Sequence, residues 1–404
     1  MMRKVIRKLN LLAAVISTLL LVAVAYGDRR LPDLITTCAD EVRFNVLYTV
    51  TANSDAVAVS AGETDSPTGA TLRLLGTIPV KNVSLNKTER RYVSPGGELI
   101  GILLRTQGVL VVGTESFLSE GKNVSPGTEA GLKTGDAILS VNGEEVGANQ
   151  DFSALIEQSG GADLAVRYSR NGTVGQTVLK PRKSDATGKC KCGLWIRDST
   201  NGIGTLTYTD LAAGTVASLG HGIYDVDTNE ILNASGGEFR SATLIGVTKG
   251  SVGAAGELRG MIGELPLGEL SFNCDGGVYG RMQHPPERSD LIAVAMEDEI
   301  VCGSAQIIAT VKDGEKTCYD IEIEKINRAN NAGTKNMVIR VTDPALIETT
   351  GGIVQGMSGS PIVQNGMLVG AVTHVFLNDP LKGYAIFADK MLALSDSVNP
   401  AEAA

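Results

Sequence analysis

The stretch Gly356-Met357-Ser358-Gly359-Ser360-Pro361 decides how this chain is read. Small residues on both sides of Ser358 leave its hydroxyl open to an incoming carbonyl. Gly356 and Gly359 permit a backbone tight enough to aim N–H groups at one point, as an oxyanion hole requires, with the amides of Gly356 and Ser358 the expected donors. The next run, Pro361-Ile362-Val363-Gln364-Asn365-Gly366-Met367-Leu368-Val369-Gly370-Ala371-Val372, is apolar, then Asn-Gly, then apolar, and predicts a hairpin. A Gly-x-Ser-Gly turn can also be an ordinary surface turn. The choice rests on whether the chain carries a base for the serine.

A serine hydroxyl is a weak nucleophile until a base takes its proton. Histidine is the expected base, and the chain has three. His221, in Leu219-Gly220-His221-Gly222, follows a small-residue run and suits an exposed place on a strand-end loop, so it is the expected base. His284 precedes Pro285-Pro286 and reads as part of a stiff surface loop. His374 lies on the strand leaving the Ser358 hairpin. The third member should be a carboxylate that orients the imidazole. Asp343 ends the alternating run Val338-Ile339-Arg340-Val341-Thr342. It competes with Asp225 and Asp227, close to His221 in sequence, and pattern alone does not separate them.

Gly351-Gly352-Ile353-Val354-Gln355 before the Ser358 turn, and Val369-Gly370-Ala371-Val372-Thr373-His374-Val375 after it, resemble the stage IV sporulation protein B peptidase family of endospore-forming bacteria. Leu219-Gly220-His221-Gly222 and Val341-Thr342-Asp343-Pro344 match that family in the same order. So do a single N-terminal hydrophobic segment and a PDZ domain ahead of the peptidase. The resemblance implies a mainly β chain with a chymotrypsin-like double β-barrel, Ser358 as nucleophile and His221 as base, and it favours Asp343 as acid. Asp343 stands nearer the serine than the acid of chymotrypsin-like enzymes does. The resemblance further implies a sporulation signalling protease that cuts a regulator of an intramembrane protease, which in turn matures a sigma factor. It also implies cleavage of the enzyme's own N-terminal region, in the space between the two forespore membranes.

Length and composition agree with a multi-module exported protein. At 404 residues, about two or three domains are expected. Glycine is abundant, at 48 residues, and aromatics make up 4%, which favours short strands joined by turns. A net charge of −9 gives little support to a nucleic-acid partner. The six cysteines fit no zinc spacing and read as unpaired, semi-buried thiols. No metal or cofactor is expected.

Arg3, Lys4, Arg7 and Lys8 precede an apolar run from Leu9 to Tyr26 that contains Ala23-Val24-Ala25. This describes an export signal over residues 1–30, either cleaved or kept as a membrane anchor, with the bulk of the chain outside the cytoplasm. Residues 31–91 read as linker and N-terminal region. Within them Thr51 to Thr71 is rich in Ala, Ser, Gly, Thr and Asp and suggests a flexible, protease-accessible stretch, whereas Thr77 to Leu85 alternates like a strand.

Ser125-Pro126-Gly127-Thr128-Glu129-Ala130-Gly131-Leu132-Lys133-Thr134-Gly135-Asp136-Ala137-Ile138-Leu139-Ser140-Val141-Asn142-Gly143 closely resembles the centre of a PDZ domain, expected over 92–183. Its peptide-binding loop is expected at Leu99, Ile100, Gly101 and Ile102, with Asp151 to Glu157 as the helix walling the groove for a C-terminal or extended peptide. Residues 184–404 carry alternating runs, such as Gly204 to Tyr208, Ala242 to Val247, Ser304 to Val311 and Tyr319 to Ile323, which suit an antiparallel barrel pair. Ala385 to Leu394 reads as a helix. Thr373-His374 is similar to the pocket strand of glutamyl endopeptidases and picornaviral-type proteases, which prefer Glu or Gln before the cut. A structural histidine and an alternative triad base are the competing readings of His374. Two function classes stand: a serine endopeptidase, and an idle PDZ scaffold that keeps the barrel fold. Intact Ser, His and Asp favour the first.

Overall fold

The alternating runs after residue 98 become strands because each buries one face, and they close into two antiparallel barrels. The computed structural model describes residues 2–39, 42–44, 47–52, 68–284, 290–329 and 332–396. The first barrel uses β1 (Leu99–Thr114), β2 (Leu194–Asp210), β3 (Thr215–Ser218), β4 (Ala234–Thr248), β5 (Glu257–Cys274) and β6 (Gly277–Met282). Its ladder runs β2-β1-β4-β5-β6-β3 and returns to β2. The second uses β7 (Gly303–Lys312), β8 (Glu315–Ile326), β9 (Met337–Val341), β10 (Pro361–Gln364), β11 (Met367–Phe376) and β12 (Asp379–Phe387). It closes as β7-β8-β9-β12-β11-β10 and back to β7. Strands Tyr92–Pro95 and Ile292–Val294 pair with each other and with β2 and β11, strapping the barrels together.

Ile100, Ile102, Leu104, Leu206, Val216 and Phe239 fill the first barrel. Ile307, Ile321, Ile339, Ile362, Val372 and Phe387 fill the second. Each such side chain contributes roughly 1.5–3 kcal/mol by leaving water. The expected hairpin is the β10–β11 connection, with Asn365 and Gly366 both at positive φ, 52° and 77°.

A PDZ domain sits between β1 and β2. Val109, Ile138, Val141, Phe152, Ile156 and Val166 form its core, and Cys192 closes it from the far end. This corrects the expected boundary at residue 92. Tyr92–Pro95 and the first half of β1 belong to the first barrel, where Leu99 to Arg105 pair with β2 on one side and, in part, β4 on the other. Leu99, Ile100, Gly101 and Ile102 are therefore no peptide-binding loop: their backbone is in the ladder and their side chains are buried. β1 enters the PDZ domain only past Gly108 (φ 78°), where Val109 and Leu110 pair with Ile138 and Ala137.

The described residues of 31–91 are more ordered than their composition suggests. Strands Leu34–Thr37, Val42–Arg43, Tyr48–Ala52, Thr68–Leu74 and Ile78–Lys87 form a five-stranded sheet over Ile35, Tyr48, Val50, Leu72 and Leu74. Thr51, Ala52 and Thr68 to Thr71 are strand residues, which corrects the ends of the expected linker; residues 53–67 lie outside the described residues. The helix Met2–Arg30 is long and apolar enough to cross a membrane. The expected last helix is shorter, Ala388–Asp396, because Ala385 to Phe387 finish β12. All six cysteines are unbridged.

Candidate active site

The Ser358 turn is held by the other barrel. Thr205 donates its N–H to Ser358 O at 3.0 Å and its hydroxyl to Gly356 O at 2.7 Å, and Thr207 Oγ1 donates to Gly359 O at 2.8 Å. Gly359 (φ 94°) must be glycine, since a Cβ there would lie 2.1 Å from Thr205 O. Among the described residues the N–H groups of Gly356 and Ser358 donate no hydrogen bond, whereas the intervening and following amides of Met357, Gly359 and Ser360 do. Ser360 is fully buried with an unpaired hydroxyl, so Ser358 is the serine a substrate can reach.

His221 leaves β3 through Leu219 and Gly220, both in left-handed backbone at φ 66° and 67°. For leucine that conformation is strained and needs over-determining contacts. They come from the β5–β6 turn. Gly222 N donates to Asp275 O, Ile223 N donates to Asn273 Oδ1, and Asn273 Nδ2 donates to Ile223 O and Leu232 O. Farther along the loop, Arg197 pairs with buried Asp225 and with Asp227. Asp225 Oδ1 also accepts from the N–H groups of Asp227 and Thr228. Asp225 and Asp227 thus brace the loop and do not touch the imidazole.

A cleft of about 430 Å³ between the barrels is lined by His221, Ser358, Thr373 and His374 together. Ser358 Oγ donates to Thr373 O at 2.7 Å, a resting rotamer. His221 Nδ1 lies 2.9 Å from Gly222 O, and with Nδ1–H donating there, Nε2 keeps its lone pair. The two imidazoles pack against each other, tilted by 37°, with 4.8 Å between centroids. Burial pushes the His221 pKa down, opposed by the Gly222 carbonyl. His374 is lowered to about 4, by burial first and then by His221 and Lys335. Both rings are therefore neutral near pH 7, the state a base or a neutral hydrogen-bond donor requires.

Asp343 is not in this cleft. It is the N-cap of the helix Pro344–Thr350: Oδ1 accepts from Ala345 N at 2.8 Å and Leu346 N at 3.1 Å, and Oδ2 from Asp320 N at 3.3 Å. The expectation of Asp343 as acid is corrected: an Asp before Pro that opens a helix serves the helix. Among the described residues no carboxylate is hydrogen-bonded to His221. Sequence reading missed Thr205, Thr207, Asn273 and Arg197, whose signals are an alternating threonine pair, a polar Asn-Cys-Asp-Gly-Gly turn and a lone strand cation. His284 is exposed and away from the cleft.

An accessible serine beside a neutral histidine, in a cleft between two antiparallel barrels, defines the class as a serine peptidase. The model of the SpoIVB peptidase S55 family matches residues 188–392, just over half of the chain, and the chain belongs to that family. A PDZ domain model matches 120–170. The chain is 29% identical over 90 residues to a "Probable protease eep" of Enterococcus faecalis, covering 21% of each protein. Among solved structures it is similar to a protease of M. tuberculosis in its active form (13% identity, 49% of this chain and 74% of that one, TM-score 0.30). It is also similar to the PDZ domain of an SdrC-like protein from Listeria monocytogenes (22% identity, 22% of this chain and 87% of that one, TM-score 0.19).

Proposed function

We propose that this chain is an exported serine endopeptidase in which Ser358 is the nucleophile and His221 the base. The observation that carries the reading is the shared cleft, which Ser358 and His221 line together, with the unpartnered amides of Ser358 and of Gly356, two residues before it, as the oxyanion donors. On substrate binding the Ser358 hydroxyl turns from Thr373 O to His221 Nε2. Its Oγ bonds the scissile carbonyl carbon as the proton passes to Nε2. The two amides take the oxyanion, the imidazolium returns its proton to the leaving amine as the C–N bond breaks, and water repeats the steps on the acyl-enzyme. Gly222 O supports the imidazolium in the place of a carboxylate. His374 and Thr373 form the wall facing the residue before the cut, where a neutral imidazole suits Gln or Glu.

Membership of the S55 family supports a finer reading. The enzyme acts in sporulation, between the two forespore membranes, and cuts a regulator of an intramembrane protease that matures a sigma factor. The apolar helix Met2–Arg30 with its basic start supports export, as a cleaved signal or an anchor. The region from about Ala52 to Thr71 supplies a self-cleavage target, and the PDZ domain takes a peptide. N-terminal sequencing of the native product and of Ser358→Ala tests the self-processing: a new end within 52–71 in the native protein alone is expected. An identical end in both proteins, at Tyr26 or Gly27, would leave all trimming to signal peptidase.

A further inference from the structure

In the N-terminal sheet, strands Thr68–Leu74 and Ile78–Lys87 are joined by a turn whose first residue is out of character. Thr77 N donates to Leu74 O at 3.2 Å, and the two residues between, Leu75 and Gly76, lie in left-handed backbone at φ 54° and 70°. Such a two-residue turn favours Asn-Gly or Asp-Gly. A leucine there is strained, and Leu75 is also 53% exposed, so neither local geometry nor packing within the chain accounts for it. Leu47 sits beside it, 45% exposed, and accepts from Leu75 N at 2.6 Å. No residue from Leu74 to Ile78 is charged. Arg73 bridges Thr77 O and Thr51 Oγ1, drawn back from the tip along the sheet.

The contacts of the helix Met2–Arg30 fix where this tip points. A Cβ on Gly27 would lie 3.2 Å from Val80, Lys81 Nζ donates to Asp28 O and Leu31 O, and Leu34 pairs in parallel with Ser84. Helix and strand Ile78–Lys87 therefore advance together. Going back two residues from Val80 moves about 7 Å down the strand to Ile78, and going back four from Gly27 moves about 6 Å down the helix to Ala23. Ala23 O duly accepts from the hydroxyl of Tyr48, which shares a row of the sheet with Leu74 and Ile78. The tip is one step farther down, beside Leu20. The apolar run from Leu9 to Tyr26 has eighteen residues, about 27 Å of helix against a hydrocarbon layer of roughly 30 Å. It has no turn to spare, so Tyr26 stands at the outer edge of the hydrocarbon. Leu20, Ala23 and Val24, which pack against the sheet, then lie within the membrane, and the tip lies at their depth.

We propose that the Leu75–Gly76 turn, with Leu47, is a membrane seat: it inserts into the outer leaflet beside the helix, at the boundary of headgroups and acyl chains. Uncharged apolar side chains suit that layer, while Lys81 and Arg30 stand past Tyr26 among the headgroups. A single spanning helix leaves the domain behind it free to swivel, and a second apolar contact beside the helix fixes its heading. The sheet passes that heading on, since Thr37 donates to Asp298 Oδ2 at 3.4 Å, just before the second barrel. The catalytic cleft is thereby held at one height above the lipid. Ala52 and Thr68, which flank the region proposed for self-cleavage, stand at the end of the sheet away from the tip. The inference goes beyond the endopeptidase reading and rests only on the helix being kept as an anchor.

The test uses the full chain with Ser358→Ala, so that no self-processing intervenes, in vesicles of phosphatidylcholine and phosphatidylglycerol with plain or brominated acyl chains. Trp195 is the one tryptophan and pairs with Gly113 where the PDZ domain begins, so the parent chain is the control. Trp195→Phe with Leu75→Trp moves the reporter to the tip, and Trp195→Phe with Leu47→Trp supplies a second reporter should the first variant not fold. Brominated lipid should quench either tip reporter about twofold or more and leave Trp195 within about a tenth of its plain-lipid emission. Adding Leu75→Asp to the Leu47→Trp chain should return its quenching toward the Trp195 level. Tip reporters no more quenched than Trp195, or quenching that ignores Leu75→Asp, overturn the seat. Intact mass of the same samples separates the two premises: loss of residues 1–26 from the membrane fraction makes the helix a cleaved signal and overturns the anchor, and the seat with it, without touching the endopeptidase reading.

Discussion

Replacing Asp343 separates a helix cap from a catalytic acid. Its carboxylate accepts three backbone N–H groups, from Ala345, Leu346 and Asp320. Asp343→Ala leaves the start of Pro344–Thr350 uncapped, a loss of about 1 kcal/mol and no more than about 2. Asp343→Asn keeps an oxygen for Ala345 N and Leu346 N but sets an amide donor against Asp320 N, so stability should fall by about 1 kcal/mol, the worth of that one hydrogen bond. The catalytic consequence of either change is indirect, through Gly351 and Gly352 to the cleft wall, and kcat should stay within about threefold of native, less than 1 kcal/mol. An orienting acid in a triad behaves differently: Asp-to-Asn keeps the geometry but lowers kcat by about 10⁴. Urea unfolding paired with kcat on a peptide substrate reads both quantities. A fall in kcat beyond about a hundredfold in a fully folded Asp343→Asn, equivalent to roughly 3 kcal/mol of barrier, would refute the assignment of Asp343 as a cap.

Two further outcomes follow from buried charges, one beside the site and one away from it. Arg197→Ala strips buried Asp225 of its cation and loosens the loop carrying His221; because Arg197 is about one-third exposed, urea unfolding should show a loss of roughly 2–4 kcal/mol, and a change under about 0.5 kcal/mol would remove the bracing role. Glu297, beside Asp389 at the foot of the second barrel, has its pKa raised to about 7, by burial first and by Asp389 next. The folded state therefore holds a proton more tightly than the unfolded chain between about pH 4.5 and 7, and stability from this group falls as pH rises through that window, by up to about 3 kcal/mol. Glu297→Gln should flatten this decline in a series of urea titrations from pH 5 to 8, and an unchanged slope would contradict it.

The parts of the fold legible in sequence are those signalled locally. Asn365-Gly366 between apolar runs gave its hairpin, and the runs at Ser304 to Val311 and Tyr319 to Ile323 are strands because one face of each is buried. Ser358 and His221 announce themselves through flanking glycines, of which Gly220, Gly356 and Gly359 lie at positive φ. β1 is different: it is one unbroken 16-residue strand, apolar in its barrel half and again in its PDZ half, so the chain passes from one domain into the other with no loop between them. The N-terminal sheet was obscured because Thr, Ser and Ala dilute its alternation, although Leu72 and Leu74 are almost fully buried. Val-Thr-Asp-Pro is equally the end of a strand and the start of a helix, and only tertiary placement shows that Asp343 faces backbone amides. The roles of Asn273, Thr205 and Arg197 are likewise set by partners far away in sequence.

The most direct test of the account is to expose the purified full-length protein to a fluorophosphonate and map the adduct by mass spectrometry. A serine is phosphonylated only where its hydroxyl is accessible, a base takes its proton and an oxyanion hole receives the developing charge. The adduct should fall on Ser358, vanish in Ser358→Ala and in His221→Ala, and persist in Asp343→Asn. Labelling at Ser360, or labelling at Ser358 that survives His221→Ala undiminished, would contradict the central assignment.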